Sequence, residues 1–330
     1  MPGEKGIEKL FSLSVTLHAD KVKQAKEIIV DTTVQEKNIT FPTDTKLYKK
    51  VIEKCDTIAK KCGIKLRSSY WFVVQRMHYA QRYAHLPKHA KQAKHAMQKL
   101  RTLACLQVRD LPRQLVKLGQ EKLYAPVVQT MERVVNQQRG DSYKVSSLHA
   151  PETSCIAKGK SHQKYEFGSK VSIASLSGSN VVVVIASFAG NPNDSKTLAP
   201  RLAQVEQRTG RQYERVLVDK GYRGHSQVDG SAVIMPGKKV HASAYARRRH
   251  KTLCKRRSSI EAMISHLKSG HRMDINYLKG TIGDTTNALL SGMGCNLMLL
   301  LREWVGNFLS ILFWALICLN FPGKLHLDKN

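Results

Sequence analysis

Apolar positions fall in two rhythms along this chain, and the change of rhythm predicts its elements. Residues 1 to 27 are mostly polar and read as a helix or two. Glu27 to Thr33 is rich in β-branched residues and reads as a strand. Phe41-Pro42-Thr43-Asp44 breaks the chain, and Thr43 or Asp44 can cap a following helix. From Lys46 to about Gln138 the pattern is helical. Leu47, Val51 and Ile58 mark one apolar face, and Gly63 suits a helix stop. Within this stretch Gln81 to Arg113 is dense in Lys, Arg and His, with Pro87 and Pro112 as punctuation.

The period changes after a turn at Gln138 to Ser142. Lys170 to Leu176 and Val181 to Ser187 read as strands joined by the turn Ser177-Gly178-Ser179-Asn180. Val181 to Ile185 is apolar on both faces, which predicts a central strand covered by helices. An amphipathic helix spans Ser195 to Thr209 and stops at Gly210. Strands follow at Arg215 to Val218 and Ala232 to Met235. A helix starts near Ser258 or Ser259 and runs to about Lys268, and helical patterning resumes at Thr286. Strands alternating with helices imply an α/β layered core. Val305 to Phe321 is nearly all apolar but short for a membrane span, and it holds Asn307, Ser310 and Asn320. A buried terminal helix is expected there, with no membrane partner. The spans read as 1–45 (N-terminal helices and first strand), 46–138 (helical insertion), 139–301 (core) and 302–330 (apolar C-terminal helix).

Charge narrows the function. The 330 residues carry 54 Lys and Arg against 25 Asp and Glu, a formal net charge of +29. Such an excess repels itself in a compact fold unless an anion lies against it. Nucleic acid is the usual partner, and a merely solvated basic surface is the bland alternative. The seven cysteines are scattered without a Cys-x-x-Cys pair, which argues against a zinc site or a disulfide framework and for reduced thiols in a cytosolic protein. The N-terminus lacks a secretory signal's apolar segment.

Where acids are scarce, three stand out. Asp31 ends the apolar run Ile28-Ile29-Val30, and Asp219 ends Val216-Leu217-Val218. Glu261 shares one helix face with Arg257, Ser265 and Lys268. Capping and a surface ion-pair ladder are the ordinary explanations. Convergence at the ends of adjacent strands would instead make a site for hard cations such as magnesium or manganese. Lys220 and Arg223 follow Asp219 and suit phosphate contact. Tyr222 suits stacking on a displaced base or packing beneath its turn. Lys158-Gly159-Lys160 and Lys164 form another candidate backbone contact. His149, His162 and His225 are not spaced as metal ligands and are expected at the surface or facing DNA.

The segments VDTTVQEKNITFPTD (30 to 44), YEFGSKVSIA (165 to 174), GNPNDSKTL (190 to 198) and VDKGYRG (218 to 224) resemble the insertion-sequence DDE transposases, the insertion-sequence-5 type in particular. That family's signature around its third acid is Tyr, two residues, Arg, three residues, Glu, six residues, Lys. Arg257, Glu261 and Lys268 fit, and Cys254 stands where the Tyr belongs. The resemblance runs from about Gly6 to Leu301. It implies a ribonuclease H-like mixed sheet flanked by helices, with the basic all-helical insertion between the first and second core strands. It implies Asp31, Asp219 and Glu261 as a triad holding two Mg2+ or Mn2+ ions. It also implies metal-dependent cleavage of transposon ends, strand transfer into target DNA and a homodimer in the active complex. The expected setting is the bacterial cytosol, at the nucleoid. Relatives usually carry a helical DNA-binding region before the first aspartate, so an N-terminally short form with impaired end recognition is expected. The alternative is a catalytically inactive DNA-binding relic or regulator of transposition.

Overall fold

The computed structural model describes residues 4–66, 70–158, 163–224, 226–237 and 243–320, with side chains as far as residue 311. Two helices, α1 (Glu4–Thr16) and α2 (Ala19–Gln24), lead into strand β1 (Glu27–Lys37). Four helices follow: α3 (Asp44–Lys61), α4 (Trp71–Ala80), α5 (Ala90–Lys117) and α6 (Glu121–Asn136). Next come β2 (Ser154–Ala157), β3 (Tyr165–Leu176), β4 (Val182–Phe188), α7 (Asp194–Thr209), β5 (Arg215–Leu217), β6 (Gln227–Val228) and β7 (Ser231–Ile234). The chain closes with α8 (Ala244–Arg257), α9 (Ser259–Gly270), β8 (Ile275–Asn276) and α10 (Gly280–Asn320).

The strands form one mixed sheet in the order β2-β3-β1-β5-β7-β6, with β4 beside β3 and β8 beside β1. β1, β3 and β4 run antiparallel, while β5 and β7 are parallel to β1 and to each other. Its core is aliphatic: Ile28, Ile29, Ile173, Val183, Leu198, Val216 and Ile260 are buried together. The four helices between β1 and β2 pack on a second core of their own, around Val51, Ile52, Leu100, Leu111 and Met131. Thr43 caps α3 by accepting a hydrogen bond from Lys46 N at 3.3 Å. Gly210 ends α7 with φ +66°, a backbone shape that glycine adopts without a Cβ penalty.

Several expectations need correction. Val182–Phe188 is not central: among the described residues β4 pairs only with β3. Its doubly apolar pattern comes from helices on both faces, α7 on one side and α1 with α10 on the other. Such a pattern reports covered faces and says nothing about lateral neighbours. The Asn296 side chain covers that edge, accepting from Val182 N and donating to Val182 O, both at 2.9 Å. Pro112 lies inside α5 and does not break it. An interior proline costs about 3 kcal/mol, but burying Leu111 and Leu115 returns about 1.5–3 kcal/mol each. The apolar C-terminal helix is not buried as far as its side chains are described, since Trp304, Phe308 and Ile311 are exposed. Packing on the core ends near Leu299 and the helix runs on past it. Phe321 lies outside the described residues. Among those described, no helix is long and apolar enough to cross a membrane.

Candidate active site

Pairing register brings the two aspartates together. β1 and β5 run parallel with Ile28 beside Val216 and Ile29 beside Leu217. Two residues further along, Asp31 within β1 and Asp219 just past the end of β5 are close enough for their charges to interact. Asp31 does not end its strand, however. Antiparallel pairing with β3 carries β1 on to Lys37, so Asp31 sits mid-strand with Ile173 as its partner. Burial, first of all, raises the Asp31 pKa above the usual carboxylate range, and Asp219 adds to the rise. The Thr32 backbone N–H and the Arg257 guanidinium oppose it.

Successive strand side chains turn to opposite faces. Asp31 therefore meets the end of α8, where Arg257 Nη2 lies 3.2 Å from its Oδ2. The same guanidinium places Nη1 3.2 Å from Glu261 Oε1, one helical turn on. Asp31 and Glu261 are thus held apart by the width of one guanidinium. The Asp31 side chain is 13% exposed, that of Arg257 17% and that of Glu261 64%.

Thr32 turns the other way and donates from Oγ1 to Asp194 Oδ1 at 2.8 Å. Lys170 Nζ lies 2.6 Å from the same oxygen. Asp194 opens α7 and is the residue that the sequence reading did not single out, although it lies within the quoted segment GNPNDSKTL. It stands beside Asp219, whose Oδ1 accepts from Gly221 N at 2.7 Å. A Cβ on Gly221 would fall 2.8 Å from Asp194 Oδ2 and 2.9 Å from Asp219 Oδ1. No other residue fits there without displacing a carboxylate, which is a physical reason for the glycine after Asp219-Lys220.

The remaining candidates divide. Lys220 and Arg223 are exposed beside Asp219, while Lys268 is half-buried on α9. Tyr222 is fully buried against α7, so its ring has no face free for a base and the packing reading is the one observed. Burial, then the charges of Asp194 and Asp31, push its hydroxyl pKa up. Ser265 is exposed, and Cys254 Sγ lies 3.5 Å from His250 Nε2. Lys158, Lys164 and His149 are described at or near the surface, whereas Gly159, Lys160, His162 and His225 lie outside the described residues.

Among the described residues, no three His, Cys, Asp or Glu side chains converge closely enough to hold a metal ion as they stand. The donors are nevertheless the right kind, carboxylate oxygens for a hard divalent cation. Asp31, Asp219 and Glu261 would supply these donors, and Arg257 now stands between Asp31 and Glu261. Arg257 already serves Asp31 and Glu261 as a shared cation.

Comparison with known proteins adds independent support. An 88-residue segment is 40% identical to an uncharacterized protein, ORF8 in the nfe locus of Rhizobium meliloti; it covers 25% of this chain and 42% of that relative. No solved structure matches. Domains of the DDE transposase kind generally use divalent metal ions and act on DNA. Residues 144–295, which include Asp194, Asp219 and Glu261 but not Asp31, match the family model described as a transposase DDE domain, and the match supports a DDE transposase.

Proposed function

We propose that this chain is a DNA transposase of the insertion-sequence-5 type, built on a ribonuclease H-like core, with Asp31, Asp219 and Glu261 as its metal-binding triad. One observation carries the reading: parallel register sets Asp31 beside Asp219, and one guanidinium links Asp31 to Glu261. An antiparallel trio of strands followed by two parallel ones supports the core assignment. The four helices between β1 and β2 then form the insertion, and residues 139–301 the catalytic core.

Asp31, Asp219 and Glu261 would hold two Mg2+ or Mn2+ ions. When bound, such ions activate a water or a terminal 3′ hydroxyl and neutralise charge on the reacting phosphorus. The chain supplies the rest. The largely buried mid-strand position and the contact with Arg257 orient the Asp31 carboxylate. Gly221 and Asp194 fix the turn that presents Asp219. Lys220, Arg223, Arg257 and Lys268 grip backbone phosphates around the reacting bond. The same site would cut transposon ends and transfer the freed 3′ end to target DNA, as a homodimer in the bacterial cytosol at the nucleoid.

Metal-dependent nicking of a duplex tests this. Wild type should nick with Mg2+ or Mn2+, and Asp219→Asn should not, with DNA affinity unchanged. The Arg257 bridge favours one second reading, a DNA-binding regulator that never exchanges this cation for a metal. Equal nicking by the two proteins would signal contamination. No nicking by either, with retained DNA affinity, would leave the regulator as the better account.

A further inference from the structure

Between Asp56 and Asp110 the chain contains no acidic residue at all. Part of this acid-free stretch forms α4 and the short 3-10 turn Gln81–Tyr83 that follows it. Val74 alone among α4 residues is buried, and it fixes the helix on the second core. The opposite face is left open. Phe72, Arg76, Tyr79 and Tyr83 follow one another at spacings of four, three and four, so they stand in a row along one side. All are exposed, Phe72 to 85% and Tyr79 to 55%.

The rings and cations on this face are arranged rather than scattered. Tyr79 and Tyr83 meet edge to face at 5.9 Å, and Tyr83 continues to the His89 ring at 5.7 Å. The Arg82 guanidinium lies 5.3 Å from the Tyr79 ring centre. Beside them is an open concavity of about 370 Å³ lined by Gln75, Arg76, His78, Tyr79 and Arg82. No acid lines it. His78 Nδ1 is buried and lacks a hydrogen-bond partner among the described residues.

Exposed aromatic rings cost solvation, and a monomer that keeps several in a row usually uses them. Two occupants would cover such a face: another protein surface or nucleic-acid bases. The charge decides between them. Two arginines and no carboxylate suit a ligand with a polyanionic backbone, while the flat rings suit its bases. Duplex DNA hides its base faces in the stack, so only an unpaired strand can use both features.

We infer that the α4 face from Phe72 to Tyr83 is a binding site for unpaired DNA, with Tyr79 and Phe72 stacking on bases and Arg76 and Arg82 holding phosphates. This rests on the DNA-substrate reading above, deepens it, and assigns the insertion a part in handling strands that are opened at a cut end.

Fluorescence anisotropy on the full chain tests it, with a labelled oligothymidylate against a duplex of equal length. Tyr79→Ala and Phe72→Ala should each weaken single-strand binding roughly 5- to 100-fold, the equivalent of about 1–3 kcal/mol of stacking. Duplex affinity should change less than about twofold, and Tyr79→Phe should restore wild-type binding. Both rings project from the surface, so thermal midpoints should stay put. Equal weakening on both DNAs, or an effect confined to Arg76→Ala, would reduce the face to a general phosphate contact and overturn the inference. Dissociation of a dimer by Tyr79→Ala with unchanged DNA affinity would also overturn it, by making the occupant a second copy of this chain. A wild type that never nicks DNA but binds single strands through Tyr79 would sink the transposase reading and leave this one standing.

Discussion

Consider the sheet around Asp31 beside the helical layer at Tyr79. Both are polar regions of a chain with net charge +29, yet they handle charge in opposite ways. Around Asp31 each acid is tied to something fixed: Asp31 to Arg257, Asp194 to Lys170 and Thr32, and Asp219 to the Gly221 amide. In α4 and α5 the cations mostly face water, and Asp110 is the single acid in the two helices. The first arrangement fixes a few groups in place, as chemistry requires. The second spreads positive charge over a surface, as binding a long anion requires. One lost residue should therefore abolish function at the first region and only reduce it at the second.

The largest test of this contrast is Asp219→Asn. Nicking should fall about a thousandfold or more, since several kcal/mol of charge stabilisation are lost at 1.36 kcal/mol per tenfold. A nicking assay with purified protein reads this, and a loss under tenfold would argue against the assigned triad.

Next in size is the buried network that anchors β1 to α10. Lys37 Nζ lies 2.5 Å from Asp284 Oδ1 and 3.1 Å from Glu152 Oε1, and Asn276 donates to Asp284 at 2.6 Å. Lys37→Ala leaves two acids without their shared cation and should cost about 3–5 kcal/mol of stability. Urea denaturation measures it, and a change below about 1 kcal/mol would mean that water already serves these groups. No single cation on α5 should approach that cost.

In the helical layer the expected change is in salt dependence. Lys91 and Lys94 are exposed on α5. Replacing either with Ala should flatten the slope of log K against log salt by about one unit if it contacts a phosphate. Stability should stay within about 0.5 kcal/mol. Titrating DNA binding at several salt concentrations would show whether the slope moves.

The smallest effects concern pH, and the two regions should respond with opposite signs. Burial raises the Asp284 pKa, with Lys37 opposing. Its folded form prefers the proton, so this contribution is complete below the ordinary carboxylate range and fades as pH climbs through the raised value. Burial lowers the His78 pKa, helped by Lys49, Arg82 and Lys46. That contribution is complete above the ordinary value of 6.5 and fades as pH falls through the lowered one. Hydrogen exchange, corrected for intrinsic rates, should show α4 loosening toward pH 5 while α10 does not. His78→Asn should remove the difference.

Much of the layout was legible because local physics wrote it. Thr43 caps, Gly210 stops a helix, and the aliphatic runs before Asp31 and Asp219 are buried strands, as their patterns implied. β2, β6 and β8 were missed because strands of four, two and two residues hold too few positions to show a period. α8 was missed because its run of Arg and Lys leaves no apolar stripe, with Leu253 as its one buried residue. Asp194 was passed over because a helix-start aspartate is ordinarily just a favourable charge near the N-terminus.

What the chain determined alone was the set of elements and the scarcity of acids, since capping, periodicity and charge act over a few neighbouring residues. Tertiary structure decided which acids meet. Asp31, Asp194, Asp219 and Glu261 come from four separate elements, and only strand register, the close approach at Gly221 and the reach of Arg257 bring them into one neighbourhood, although among the described residues no three acids converge on a single point. Such proximity depends on how the sheet and helices stack, which no local pattern encodes.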